Sequence, residues 1–170
     1  MCIRDSIGSP WMVGETLSAG IGQGYFLTTC AQLGFAYAQL INGGKKLEPK
    51  INLGQKNNDM FAQRIISDPR HLQIIKQALI DATNLQGGTS YSSRIIGENK
   101  MAGKTGTSQV RVITLSEREE GLLKNEQLPW EKRDHGLFVG YGPIKDPKYV
   151  VSVILEHGGS GSRAVSYTHL

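Results

Sequence analysis

The stretch GENKMAGKTGTSQV, residues 97–110, places lysine, threonine and glycine at a spacing that two kinds of chemistry use. A phosphate-binding loop has the pattern G-x-x-x-x-G-K-[S/T], and Gly103, Lys104 and Thr105 match its end. However, Glu98 stands where the first glycine belongs, and the β-branched residues that follow predict a strand, not the helix whose N-terminus would hold phosphate. The sequence therefore argues against a phosphate loop.

The same residues fit K-T-G, a motif of penicillin-recognising serine acyltransferases. In that chemistry the Lys104 ammonium faces the nucleophile and the substrate carboxylate, and the Thr105 hydroxyl serves the same carboxylate. Gly106 leaves room for an extended substrate beside the strand. The Thr107 main-chain N–H donates to the oxyanion, a contact worth roughly 3 kcal/mol in the transition state. Lys104 and Thr107 are thus the candidate catalytic residues. The candidate substrate-binding residues are Lys104, Thr105, Gly106 and Thr107.

Two predicted helices precede this motif. Thr29 and Gln32 have the spacing of a capping box, and the Gly43–Gly44 pair predicts where that helix ends. Asp68 is a suitable N-cap for the second helix, because Pro69 then takes the first helical position. Both helices are amphipathic, so each is expected to pack one face on a sheet.

Three predicted strands carry and follow the motif. They lie in MAGKTGTSQVRVITL, HGLFVGYG and KYVVSVILEHGG, of which the last two are rich in β-branched and aromatic residues. Helices followed by antiparallel strands indicate an α+β fold. The remaining segments are predicted as loops around short extended pieces, as a short strand with its connection, and as a charged solvated loop: residues 7–24, 45–53 and 116–134.

Composition narrows the possible functions. The net charge is +4, but lysine and arginine form no long run, which argues against a nucleic-acid partner. The two cysteines, Cys2 and Cys30, form neither a disulfide framework nor a metal-ligand pattern. We therefore expect no metal site. The chain also lacks the run of about 18 apolar residues that would predict a membrane span.

Three segments, taken in order, resemble the transpeptidase domain of class B penicillin-binding proteins, especially its cell-elongation branch. They are WMVGETLSAGIGQGYFLTTCAQLGFAYAQLINGG, MAGKTGTSQV and NEQLPWEKRDHGLFVGYGPIKDPKYVVSVILEHGG, and the resemblance covers about residues 8–164. It implies a partial serine β-lactamase/transpeptidase-like fold in which antiparallel strands pack against helices. The implied activity is that of a peptidoglycan D,D-transpeptidase, which cross-links stem peptides through an acyl-serine and is acylated by β-lactams.

The resemblance also implies partners, a location and domain boundaries. Stem peptides and β-lactams would bind, a polytopic glycosyltransferase would be a partner, and no cofactor is implied. The location would be the periplasmic face of the inner membrane, with the anchoring helix outside this chain. No S-x-x-K occurs, so residues 7–164 are interpreted as the C-terminal part of the domain, inactive alone. Residues 1–6 and 165–170 fit neither the family nor the local pattern and are interpreted as non-native end-tags.

Several alternatives stay open at this point. A serine β-lactamase, a D,D-carboxypeptidase, a β-lactam sensor and a non-catalytic relative would share the fold. Gln23 and Tyr25, in a glycine-rich loop, are weaker candidates for substrate contact. His135 and His157 are interpreted as structural residues at strand ends, and Cys30 as a small, partly buried side chain.

Overall fold

The computed structural model describes residues 10–24, 26–52, 54, 63–111 and 113–166. Within those residues the chain forms five α-helices and three strands. In chain order they are α1 (Val13–Gly20), α2 (Cys30–Ile41), α3 (Pro69–Asn84), β1 (Ala102–Ser108), α4 (Leu115–Glu120), β2 (His135–Gly142), β3 (Tyr149–Leu155) and α5 (Gly161–Ser166). Short 3-10 turns lie at Tyr91–Ser93, Asn125–Gln127 and Trp130–Lys132.

The starts of α2 and α3 follow the predicted caps. The Thr29 hydroxyl accepts a hydrogen bond from the Gln32 main-chain N–H at 3.1 Å, and the Gln32 side chain accepts one from the Thr29 N–H at 2.9 Å. Asp68 accepts from the Arg70 N–H at 2.8 Å, with Pro69 at the first helical position. These side chains satisfy N–H groups that a helix start leaves without intrahelical partners, and the predictions are confirmed.

The three strands form one antiparallel sheet in the order β1-β2-β3. Lys104 pairs with Val139, and Val139 pairs with Ser152 on the far side. Among the described residues, β1 is therefore an edge strand that carries the K-T-G residues and pairs only with β2. The combination of helices and an antiparallel sheet confirms the α+β class.

Each face of the sheet has its own core. On one face Ala102 and Tyr141 pack with Ile41 of α2 and Leu79 of α3. On the other face Phe138, which is fully buried, packs with residues of α5. Burying a side chain of this size contributes about 2–3 kcal/mol. The sheet thus lies between two helical layers, which hold β1, the strand that carries the K-T-G residues, in place.

Four predicted segments differ in the structure. Residues 13–20 form α1 instead of a loop, because the Glu15 side chain accepts from the Met12 N–H and caps the helix start. β1 ends at Ser108, and residues 116–134 contain most of α4 and two 3-10 turns. The predicted strand at 45–53 is reduced to one isolated bridge between Lys45 and Arg64, and residue 53 lies outside the described residues.

The end-tag interpretation of residues 1–6 falls outside the described residues, as do residues 167–170. α5 continues through the interpreted boundary at 164/165. Val165 is fully buried in the Phe138 core, next to Ala164. The domain boundaries remain a prediction.

Candidate functional site

The free edge of β1 is closed at its start by two side chains from the last turn of α3. The Thr83 hydroxyl accepts from the Gly103 N–H at 3.1 Å and lies 3.3 Å from the Gly103 carbonyl oxygen, to which it donates. The Asn84 amide donates to the Met101 carbonyl at 2.9 Å. Gly103 and Met101 therefore direct main-chain groups towards α3, away from β2.

Residues at the alternate, even-numbered positions of this segment direct their main-chain groups towards β2. The Lys100 carbonyl accepts from the Ile144 N–H at 2.9 Å, and the Val110 N–H donates to Asp134 on the β2 side at 3.3 Å. Because these directions alternate along an antiparallel strand, the N–H and C=O groups of Thr105 and Thr107 point out from the edge. In the part of the chain that the structure describes, no strand pairs with this edge beyond Gly103, so the edge can accept another extended chain.

Lys104 and Thr105 form a small polar network at the start of this open segment. The Lys104 ammonium donates to the Thr105 carbonyl at 2.9 Å and lies 3.4 Å from the Thr105 hydroxyl. That hydroxyl donates to the Thr89 hydroxyl at 3.0 Å. Lys104 is exposed, so its positive charge is available to an anionic ligand.

The two glycines of the motif have different neighbours. A Cβ on Gly103 would lie 2.5 Å from the Phe138 ring and from the Val139 carbonyl oxygen, so packing requires glycine there. A Cβ on Gly106 would meet only Leu137 Cβ, at an ordinary 3.5 Å. The fold therefore leaves room beside Gly106 that no other described residue fills.

The structure places Lys104, Thr105, Gly106 and Thr107 consecutively on β1, as predicted from the sequence, and their roles stay a prediction. Gln23 instead lines a pocket of about 220 Å³ whose walls all come from residues 11–26, so the pocket includes no β1 residue. Tyr25 lies outside the described residues.

His135 and His157 make structural hydrogen bonds. The His157 N–H donates to His135 Nδ1 at 2.9 Å, and His157 Nδ1 donates to the Arg133 carbonyl at 3.0 Å. Asp134, the adjacent carboxylate, accepts from Asn125 and Val110. This arrangement agrees with the interpretation of both histidines as structural residues, since none of these hydrogen bonds joins the Asp134 carboxylate to either imidazole.

Cys30 is partly buried, as expected. Its thiol lies 3.0 Å from the Ser152 carbonyl oxygen and 3.3 Å from the Ser152 hydroxyl, and it thereby connects the start of α2 to β3.

Burial and hydrogen bonds shift the pKa of several side chains. Burial raises the pKa of the Tyr37 and Tyr141 phenols in the core. The Arg70 side chain lowers the pKa of Asp68 at the start of α3. The pKa of Glu117 is lowered first by the Thr114 main-chain N–H and then by Arg111.

Within the described part of the chain, no group of three or more His, Cys, Asp and Glu residues could hold a metal ion. In the same residues, every helix is too short or too polar to cross a membrane.

Three site residues escaped the sequence analysis: Thr83, Asn84 and Thr89. One signal was present for Thr83, which follows Leu79 by four residues and so lies on the apolar stripe of α3. A polar residue at such a position indicates a buried hydrogen bond.

Comparison with known proteins places this geometry in a family. The family model of the penicillin binding protein transpeptidase domain matches residues 4–168. The peptidoglycan D,D-transpeptidase MrdA of Salmonella typhimurium (strain SL1344) is 33% identical over 159 residues, which cover 88% of this chain and 25% of the relative. The peptidoglycan D,D-transpeptidase MrdA of Acinetobacter baumannii is 36% identical over 165 residues, which cover 92% of this chain and 23% of the relative. The chain thus spans about a quarter of the length of these curated relatives.

Solved structures show the same likeness. Helicobacter pylori penicillin-binding protein PBP2, in complex with MreC, matches with a TM-score of 0.73 and 29% identity, over 97% of this chain and 28% of the other. Pseudomonas aeruginosa PBP2 in complex with WCK 5153 matches with a TM-score of 0.72 and 30% identity, over 96% of this chain and 33% of the other.

Proposed function

The chain belongs to the penicillin-binding protein transpeptidase domain family, and we propose that it forms the substrate-binding part of a peptidoglycan D,D-transpeptidase. The observation that carries this proposal is the edge of β1, which is closed at Gly103 and open at Thr105 and Thr107 beside an exposed ammonium group. An extended peptide can add to such an edge as a further strand.

The side chains of the open segment suit a peptide that ends in a carboxylate. The Lys104 ammonium and the Thr105 hydroxyl lie within 3.4 Å of each other, so both can contact one carboxylate group. The Thr107 N–H, one outward position further on, is about 7 Å along the strand. A carbonyl one residue before the terminal carboxylate can therefore reach that N–H, which would hold the oxyanion.

The reaction needs a serine nucleophile, which we propose lies in S-x-x-K in a part of the protein outside these 170 residues. Its hydroxyl adds to the carbonyl of the penultimate D-Ala. The C–N bond then breaks, and D-Ala leaves with a proton. The amine of a neighbouring stem peptide attacks the resulting ester and restores the serine. A β-lactam would acylate the same serine by opening its ring.

The curated relatives described above are D,D-transpeptidases, which does not favour a β-lactamase, a carboxypeptidase or a sensor. We further propose a periplasmic location with a membrane anchor outside this chain. A polytopic glycosyltransferase remains the proposed partner, and Trp130, which is 56% exposed, is the aromatic residue that such a contact would use.

The test begins with the genomic reading frame that contains these residues. The complete product should carry S-x-x-K upstream and should be labelled covalently by a fluorescent penicillin. Lys104→Gln should lower the labelling rate roughly tenfold or more, because a charged contact to the β-lactam carboxylate is lost. Lys145→Gln, which removes an exposed positive charge that does not belong to β1, is the matched control. A complete product that has S-x-x-K and stays unlabelled contradicts the proposal.

The 170-residue chain alone should stay unlabelled under the same conditions. Labelling of this chain would contradict the proposal that its nucleophile lies elsewhere.

A further inference from the structure

Thr83 is fully buried at the point where the edge of β1 changes from closed to open. Its single hydroxyl serves both main-chain groups of Gly103, donating to the carbonyl and accepting from the N–H. A neighbouring strand would make these same two bonds at an outward-facing residue. One side chain of α3 therefore replaces the strand that would otherwise continue along this edge.

Asn84 extends the closure to the preceding outward position. Its amide donates to the Met101 carbonyl and also to the Ile80 carbonyl of its own helix, at 3.1 Å. Two consecutive outward positions of the β1 segment are thus occupied by consecutive residues of one helical turn. An extended peptide that pairs with Thr107 and Thr105 meets α3 at the next position.

The charged contact lies directly at this end-point. Lys104 follows Gly103 in the chain, and its ammonium group contacts the carbonyl of Thr105. Because Thr83 bonds both the N–H and the carbonyl of Gly103, it holds the two peptide groups that flank this residue and so fixes the direction in which the chain enters Lys104 and Thr105. Any loosening of Gly103 would move the ammonium and the hydroxyl relative to a bound carboxylate.

We propose that Thr83 is a positioning residue that ends the substrate groove. By closing the edge at Gly103, it holds Lys104 and Thr105 to receive a terminal carboxylate and excludes peptides that continue past it. This inference rests on the proposed function, since it names the residue that positions the substrate-binding side chains of the same edge.

The test uses the 170-residue chain labelled with ¹⁵N and three peptides that contain Lys-D-Ala-D-Ala: the free acid, its C-terminal amide, and the acid extended by one residue. Affinities come from the shifts of the Thr105 and Thr107 amide signals. The chain should bind the free acid roughly tenfold more tightly than either other peptide, because only the acid places a charge at Lys104. In the free chain, the Gly103 amide should exchange with solvent more slowly than the Thr107 amide.

Two variants separate positioning from general stability. Thr83→Val keeps the shape and removes the hydroxyl, so it should reduce the preference for acid over amide to a few-fold. Thr83→Ser keeps the hydroxyl and should retain the preference. A merely structural role would weaken the acid and the amide by the same factor, and that result overturns the inference.

The remaining outcomes are equally informative. Equal binding of the free acid and the extended acid to the unmodified chain overturns the inference, because the groove then does not end at Gly103, and leaves the proposed function standing. Equal binding of the acid and its amide overturns the inference and also counts against the carboxylate contact in the proposed function. A Gly103 amide that exchanges as fast as that of Thr107 also overturns it, even if the valine variant does not fold. Absence of any peptide-induced shift counts against the proposed function itself.

Discussion

Substitution of Gly161 by alanine tests how α5 supports the substrate strand. Gly161 is buried at the first turn of α5, against β1 and β2. A Cβ there would collide with the Gly106 carbonyl oxygen and would approach the Leu137 carbonyl oxygen to 2.7 Å and the Gly106 nitrogen to 2.8 Å. All three are main-chain atoms of paired strands, so none can rotate away.

The size of the effect follows from what must move. Overpacking of this kind costs about 1–3 kcal/mol. If α5 shifts instead, Val165, which is fully buried, becomes partly exposed, and full burial of a valine contributes about 1.5–3 kcal/mol. Only one of these two costs applies, because the helix either stays in place or shifts. We therefore expect Gly161→Ala to lower the free energy of unfolding by about 2 kcal/mol. For a domain of this size that corresponds to a fall in Tm of about 4–8 °C.

Urea unfolding followed by circular dichroism measures this difference, and Gly14→Ala is the matched control. Gly14 also lies in a helix, but a Cβ there meets nothing within 4 Å. Its replacement should raise stability by about 0.5–1 kcal/mol, since alanine favours helix. If Gly161→Ala is as stable as the control variant, the argument that main-chain contact seats α5 against β1 is wrong.

Three further predictions concern charge, pH and the core. Lys104→Gln should change the free energy of unfolding by less than about 0.5 kcal/mol, because the side chain is exposed; a larger change in urea unfolding would show a structural role. Glu117 caps α4 through the Thr114 N–H, which, with Arg111, holds the pKa of this carboxyl below its ordinary value. The stability that the Glu117 carboxylate gives to α4 is therefore present above the ordinary pKa of a glutamate and is lost as the pH falls through the lowered pKa. The amide signals of α4 should broaden or shift below about pH 4, and in Glu117→Gln they should no longer respond to pH. Phe138→Ala should destabilise by about 3–5 kcal/mol in the same urea assay, since the ring is fully buried; a loss under about 1 kcal/mol would contradict the described core.

Local signals in the sequence predicted the elements whose causes are local. The Thr29–Gln32 capping box and the Asp68–Pro69 start depend on atoms within four residues of each other, and both formed as expected. The limits of β2 coincide with HGLFVGYG, because aromatic and β-branched residues there are bounded by a charged residue and a proline. The placement of the four K-T-G residues on one strand was also predictable, since they are consecutive in the chain; their roles stay a prediction.

Sequence reasoning failed where a distant contact decides the outcome. Thr83 and Gly103 are 20 residues apart, and no local pattern pairs them. In residues 116–134, the Asn125 side chain bonds both to Asp134 and, at 3.5 Å, to the Gly159 carbonyl, so a segment predicted as a solvated loop is fastened to the turn after β3. α1 was missed because its glycines reduce helix propensity, while one capping carboxylate offsets that cost.

The two glycines around Lys104 separate what the fold requires from what a ligand requires. Gly103 is needed by the protein itself, because Phe138 and the Val139 carbonyl occupy the space of a side chain. Gly106 is not, since a Cβ there would make only ordinary contact with Leu137. A glycine that packing does not demand still costs about 0.5–1 kcal/mol in a strand through the entropy of the unfolded chain. Such a cost is explained if something outside the described residues approaches β1 at Gly106, which is where an extended peptide paired with Thr105 and Thr107 would lie.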